Sequence, residues 1–301
     1  EDFKKAYRPS TLKLTDTIDI CGTWGDPIMN KEIYAICKYI MNIKGGLYKC
    51  PRIVINTNGS IRNEKWWWDL GVLCGDRLRV VFAIDGKDQE QHEKYRKFTN
   101  LDKILDNIKS MSMTKAIVET QTIVYKHNQE DLEEIKELCL KNGSKKHIFV
   151  WTDRLSEDEK EFHYINPDGT KDYLEMPDKK PEDIKLHSTK TEINDNEISC
   201  KWLNRRMIVI NPDGQVLPCC YLANGYYTRG EDYFKHSAMD NYTEYKKKNN
   251  VFYKPLEEIL ADKWFNKTLP ESWKSDNPIR ECAKYCSKKG KEFDKLQRLS
   301  R

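Results

Sequence analysis

The sequence predicts an α/β chain built on a parallel sheet and followed by a small cysteine-bearing domain. From Thr17 to Arg154, short β-branched runs alternate with helix-like segments, the pattern of repeated βα units. Residues 153–198 then turn rich in Asp, Glu, Lys and Pro. Beyond them, Cys200 and Cys219 flank a hairpin motif, and the pair Cys282 and Cys286 closes the region far downstream.

Each element has its own signal. Strands are expected at Thr17–Cys21, Ile53–Thr57, Leu78–Ile84, Ala116–Val124 and His147–Trp151, where β-branched and aromatic residues cluster between turn formers. Helices are expected at Lys31–Ile43, Asn63–Leu73, Leu101–Met111 and Glu130–Leu140. In the last, Leu132, Ile135, Leu138 and Cys139 recur at helical spacing and Asn142-Gly143 supplies the stop. The 153–198 stretch reads as a connector with at most a hairpin around Asn166-Pro167-Asp168-Gly169. Arg206–Ile210, the turn Asn211-Pro212-Asp213-Gly214 and Gln215–Cys219 read as a β-hairpin whose far strand ends on a cysteine. Pro255 opens a helix through Phe265, and the charged segment after Cys286 reads as a solvated helix or tail. The expected domains are thus 1–152, a connector 153–198, a cysteine domain 199–290 and a tail 291–301.

Composition narrows the function. With 38% hydrophobic residues over 301 positions, the chain can bury a core across two domains. Its 52 basic and 48 acidic residues give a net charge of only +4, without the single-sign field of a nucleic-acid or membrane binder. No run of eighteen apolar residues and no signal-peptide pattern occurs, so a cytoplasmic chain is expected. In that reducing setting, ten cysteines are reduced thiols and metal ligands rather than a disulfide framework. Two thiol pairs separated by a long insertion are a common way to build a four-thiolate site for zinc or iron–sulfur iron.

The strand ends carry a second pattern. Cys21-Gly22-Thr23-Trp24-Gly25-Asp26-Pro27 follows the first strand, Thr57-Asn58-Gly59-Ser60 the second, and Ile84-Asp85-Gly86 the third. A single Gly-rich loop is an ordinary βα turn as readily as a ligand loop. Three in register at the carboxyl end of a parallel sheet would form a polar rim for a small ligand.

Together with Tyr125-Lys126-His127-Asn128 and the carboxy-terminal cysteine spacing, these motifs resemble a radical S-adenosylmethionine (radical SAM) enzyme with a SPASM or twitch-type domain, over roughly residues 15–290. The resemblance implies a partial (β/α)6 barrel, similar to a TIM barrel, that binds S-adenosylmethionine and a [4Fe-4S] cluster and generates a 5′-deoxyadenosyl radical. By that match, Trp24, Gly25 and Asp26 correspond to the family's Gly-Gly-Glu-Pro segment, which holds the methionine ammonium. Thr57 and Asn58 lie near the ribose and amino-acid portion. Asp85 corresponds to the aspartate of Ser-Ile-Asp-Gly, with Ala83 where the serine would stand. The resemblance also implies a peptide or protein substrate, with a carbohydrate or nucleotide-like molecule second, and an electron donor such as flavodoxin or ferredoxin.

The family's radical cluster sits on Cys-x3-Cys-x2-Cys, a triplet these 301 residues do not contain. Because the first motif here matches the family's second strand, the first strand and cluster loop are expected upstream of Glu1. The barrel is therefore expected to be incomplete at its amino end. The carboxy-terminal ligands of one auxiliary [4Fe-4S] cluster are expected to be Cys200, Cys219, Cys282 and Cys286. Cys220 is expected to face away from Cys219 in an extended strand. Other readings are a structural zinc in a binding module and a non-catalytic scaffold of the same fold. Trp66-Trp67-Trp68 cannot share one helix face, the six histidines lack ligand spacing, and Cys37 and Cys139 read as core.

Overall fold

Two short helices, α1 (Asp2–Ala6) and α2 (Pro9–Leu14), precede five strands that lie side by side in sequence order. These are β1 (Thr17–Ile20), β2 (Arg52–Thr57), β3 (Leu78–Ala83), β4 (Ile117–Val124) and β5 (His147–Trp151). Every pairing is parallel, so each strand must be followed by a crossover. The crossovers contain α3 (Ile33–Met41), α4 (Glu64–Cys74), the pair α5 (Gln89–Tyr95) and α6 (Leu101–Ser112), and α7 (Leu132–Lys141). The computed structural model describes residues 1–22, 25–46, 50–151, 160–166, 168–178, 198–223, 236–239 and 247–287.

Strand periodicity separates two faces of the sheet. Ile53, Ile55, Val80 and Phe82 are fully buried on one face, and the Phe82 ring meets Trp67 of α4 at 4.9 Å. On the other face Asn56 donates to Asp19 at 2.9 Å, and Arg79 pairs with Glu119 at 2.5 Å. The helices begin where side chains can satisfy their free N–H groups. Asn63 accepts from the Trp66 amide, Asp88 from Gln91 and Asn100 from Lys103. Of the three consecutive tryptophans, Trp67 is buried, Trp68 is exposed, and Trp66 meets Tyr34 and Arg62.

The chain divides into two compact units, one of residues 12–185 and one joining residues 1–11 to 186–298. This corrects the expected first domain, 1–152: Ala6 of α1 packs with Val216, Val251 and Ile259 of the carboxy-terminal unit. A hairpin, β6 (Glu161–Ile165) and β7 (Lys171–Glu175), stands within the expected connector and belongs to the sheet unit. Its Leu174 packs on Tyr125, and Lys126 pairs with Glu175 at 3.0 Å. Pro167, most of the remaining connector and the 291–301 tail lie outside the described residues.

The second unit begins with α8 (Lys201–Asn204) and a short hairpin, β8 (Val209–Ile210) and β9 (Val216–Leu217). Gly214 takes a φ of 84° in the turn, a conformation that favours glycine, and its N–H bonds the Asn211 carbonyl at 2.8 Å. The far strand stops at Leu217, short of Cys219, so Cys219 and Cys220 open a helical turn in which the Ala223 N–H bonds the Cys219 carbonyl. Cys220 therefore does not oppose Cys219 across a strand, as the extended reading supposed. The helix expected from Pro255 is also divided, into Leu256–Leu260 and a π-helical stretch Trp264–Thr268 started by Asp262, which accepts from the Trp264 amide.

Gly59 carries the firmest fold prediction. Its φ is 72°, and an added Cβ would collide with the buried Phe82 ring. Gly59→Ala is expected to cost about 1–3 kcal/mol, from backbone strain and overpacking, measured by urea unfolding.

Candidate cofactor and cluster sites

Because the five strands are parallel, the loops after β1, β2, β3 and β4 gather at one end of the sheet. Asp26 ties two of them together. Its carboxylate accepts from the Ile28 amide at 3.0 Å, the Thr57 hydroxyl at 2.8 Å and the Asn58 amide at 2.7 Å. The first bond caps the single turn Pro27–Met29, and the other two reach the end of β2. Thr57 in turn accepts from the Gly59 amide, and the Asn58 side chain accepts from Ser60. Gly25 precedes this knot with φ 129°, and Trp24 lies outside the described residues. Gly25, Asp26, Thr57 and Asn58 are thus brought together as one loop cluster.

Asp85 has a different setting. It is completely buried, and its carboxylate pairs with Arg96 at 2.5 Å and accepts from the Ile123 amide at 2.6 Å. Its own N–H donates to Nδ1 of the buried His92, and its carbonyl accepts from the buried Asn128 amide at 3.0 Å. Asn128 also accepts from the Tyr125 amide and donates to the Ile123 carbonyl. Asp85 and Asn128 therefore stitch the ends of β3 and β4 together. Sequence reasoning missed Arg96 and His92 as partners, since nothing in the polar segment Gln89–Tyr95 marks it as a helix packed on that carboxylate.

Three imidazoles of the sheet unit share one electrostatic feature. Burial pulls His92 and His127 down to about 4. It does the same to His147, which sits between Thr120 and Thr122 on the face that buries those hydroxyls.

The carboxy-terminal unit collects the thiols. Cys200, Cys219, Cys282 and Cys286 are each at most 9% exposed. Cys282 and Cys286 stand four residues apart on the helix Arg280–Cys286, hence on one face. The Ser199 amide bonds the Cys286 carbonyl at 3.1 Å, fixing Cys200 beside that helix. Cys219 and Cys282 share one apolar cluster, and Tyr221 stacks on Tyr285 at 3.9 Å. Among the described residues, no three His, Cys, Asp or Glu side chains are grouped as for a single metal ion.

Donor chemistry tests whether these thiols suit a metal group. Burial pushes the Cys219 thiol well up, and the neighbouring cysteines add to the effect. Burial likewise pushes Cys282 up to about 12, with Cys286 and Cys200 contributing. Ionising such thiols needs a positive centre, which a metal group provides. Backbone support for a thiolate is already present: the Leu222 N–H points to the Cys219 sulfur at 3.5 Å. The indole N–H of Trp273, which packs on the same apolar cluster, is buried without a partner. In donor type, four buried thiols with one backbone N–H on a sulfur fit an iron–sulfur cluster.

Residues 200–287 match the family model of SPASM, an iron-sulfur cluster-binding domain. The carboxy-terminal third of this chain is thus similar to that domain. Among solved structures, anSMEcpe with bound AdoMet and the Cp18Cys peptide aligns at a TM-score of 0.52 and 12% identity, covering 100% of this chain and 88% of that one. His-tagged anSMEcpe with bound AdoMet gives 0.52 and 13%, covering 94% and 76%. Streptococcus suis SuiB gives 0.47 and 12% and covers 80% of this chain, which spans 56% of the length of SuiB. No curated protein matches the chain. The chain shares its fold with these AdoMet-bound anSMEcpe structures. The resemblance implies six barrel strands, and the parallel sheet among the described residues has five.

Two outcomes follow from the Asp85 network and the buried imidazoles. Arg96→Met strands a buried carboxylate and is expected to destabilise the fold by about 3–5 kcal/mol in urea unfolding. The histidines titrate near 6.5 when unfolded and about 4 when folded, so the unfolded state binds more protons between those values. Stability is therefore expected to be undiminished above about pH 6.5 and to fall as pH drops toward 4. Unfolding curves at stepped pH check this, and a flat profile between pH 6.5 and 5 would contradict it.

Proposed function

We propose that this protein is a radical SAM enzyme whose SPASM domain holds one auxiliary [4Fe-4S] cluster on Cys200, Cys219, Cys282 and Cys286. The observation that carries this is the coincidence of four buried thiols within the SPASM match. The loop knot of Asp26, Thr57 and Asn58, on a fold shared with AdoMet-bound structures, supports the cofactor assignment. When bound, S-adenosylmethionine and a reduced [4Fe-4S] cluster supply a 5′-deoxyadenosyl radical that removes a hydrogen atom from the substrate.

The residues of this chain would position that chemistry. A carboxylate has about four acceptor positions, and Asp26 uses three on Ile28, Thr57 and Asn58. The remaining position can accept an ammonium N–H, while Gly25 leaves the adjoining backbone uncrowded. Thr57 and Asn58 hold the carboxylate in place. Asp85 acts from beneath, fixing the β3 and β4 loops through Arg96, Ile123 and Asn128 rather than offering a free oxygen. A peptide or protein is the favoured substrate class, supported by the anSMEcpe structure with the Cp18Cys peptide. A carbohydrate or nucleotide-like substrate comes second, and a flavodoxin or ferredoxin would supply the electron.

Anaerobic reconstitution of the full-length protein tests both parts. Brown protein with about four irons on the auxiliary site is expected, lost in Cys219→Ala or Cys282→Ala. With reductant and S-adenosylmethionine, 5′-deoxyadenosine should accumulate. Asp26→Asn is expected to weaken cofactor binding about tenfold or more, as loss of a charge-assisted hydrogen bond does. Colourless, zinc-loaded protein would overturn the cluster assignment, and iron-loaded protein that leaves the cofactor uncleaved would favour the scaffold reading.

A further inference from the structure

The loop that carries Thr57 and Asn58 is fastened by α6. Gly59 turns the chain at φ 72°, and its N–H is taken by the Thr57 hydroxyl at 2.9 Å. Its carbonyl is met by the Asn107 side chain, whose Nδ2 donates to it at 2.9 Å in the interior. No other donor reaches that carbonyl among the described residues. Asn107 is completely buried on the face of α6 that also buries Ile104, Ile108 and Met111, a place where an apolar side chain is the rule. Its Oδ1 is shut off from solvent and has no partner. A buried amide with one half unanswered opposes stability, so the residue is accounted for by the loop carbonyl it meets. One helical turn on, the Ser110 hydroxyl donates to the Glu64 carbonyl at 2.8 Å, at the start of α4 and beyond the loop.

We infer that Asn107 is a positioning residue for the cofactor: it holds the Thr57–Gly59 loop in the shape in which Thr57 and Asn58 clasp the Asp26 carboxylate. This rests on the proposed cofactor role of Asp26. The path is short. Asp26 accepts from the Asn58 amide at 2.7 Å and from the Thr57 hydroxyl at 2.8 Å, and Gly59, whose carbonyl Asn107 holds, is the next residue. With that bond in place the loop is formed in advance, and binding does not have to order it. Without it the Gly59 carbonyl is buried and unanswered, and the loop must shift to regain a partner.

Wild type, Asn107→Leu and Ser110→Ala are reconstituted anaerobically, and S-adenosylmethionine binding is measured by equilibrium dialysis without reductant, so that no turnover occurs. Asn107→Leu is expected to weaken binding about five- to tenfold, the scale of one hydrogen bond, while 5′-deoxyadenosine formation at saturating cofactor stays within about twofold of wild type. Ser110→Ala removes a bond from the same helix without touching the loop and should bind the cofactor as wild type does. Should Asn107→Leu fail to fold, hydrogen exchange on cofactor-free wild type decides: the Asn58 and Gly59 amides are expected to exchange as slowly as those of β2. Wild type that binds no S-adenosylmethionine refutes the cofactor reading itself. An Asn107→Leu variant that binds like wild type, an equal loss in Ser110→Ala, or fast exchange at Asn58 and Gly59 overturns only the role given to Asn107.

Discussion

A completely buried carboxylate at the end of a parallel strand organises the ligand end of the sheet. Asp85 could not remain charged there without compensation, since an isolated buried carboxylate is heavily penalised. Arg96 supplies the opposite charge, the Ile123 amide supplies a donor, and His92 and Asn128 occupy the peptide groups of Asp85 itself. The cost is met by connecting three elements, β3, β4 and α5, in one network. Truncating any partner leaves a charge or a dipole unanswered, so the network specifies one loop arrangement rather than simply adding stability.

The Asp26 knot works on the same principle at the surface of the sheet end. There the carboxylate joins the β1 and β2 loops through neutral donors, not through a counter-ion. Asp85, by contrast, is paired with the cationic Arg96. Two aspartates at neighbouring strand ends thus differ: Asp85 is answered by a counter-ion, and Asp26 by neutral donors alone.

In the carboxy-terminal unit the constraint is desolvation of sulfur. Burial among apolar and aromatic side chains makes the Cys219 and Cys282 thiols resist ionisation, and neighbouring cysteines add to the effect. A metal group reverses that balance, so binding and ordering of this domain are coupled and both depend on pH. Stacking of Tyr221 on Tyr285 and the bond between Ser199 and Cys286 hold the turn after Cys219 and the segment before Cys200 against the helix Arg280–Cys286.

The sequence by itself determined the five strands and the four main helices, because β-branched runs and helical periodicity are local signals that burial then reinforces. It also marked the four cysteines and the loop motifs, since metal and ligand loops need particular residue types at particular spacings. It did not reveal α5, whose Gln89–Tyr95 segment has no apolar stripe and packs through His92 and Arg96. Nor did it reveal the helical turn at Cys219 and Cys220, or the attachment of α1 to the carboxy-terminal unit through Ala6. Only tertiary structure decided which aspartate is paired with a cation, because Asp85 and Arg96 stand 11 residues apart with α5 between them. Local pattern encodes an element's type, whereas charge compensation and polar satisfaction depend on what three-dimensional packing places alongside it.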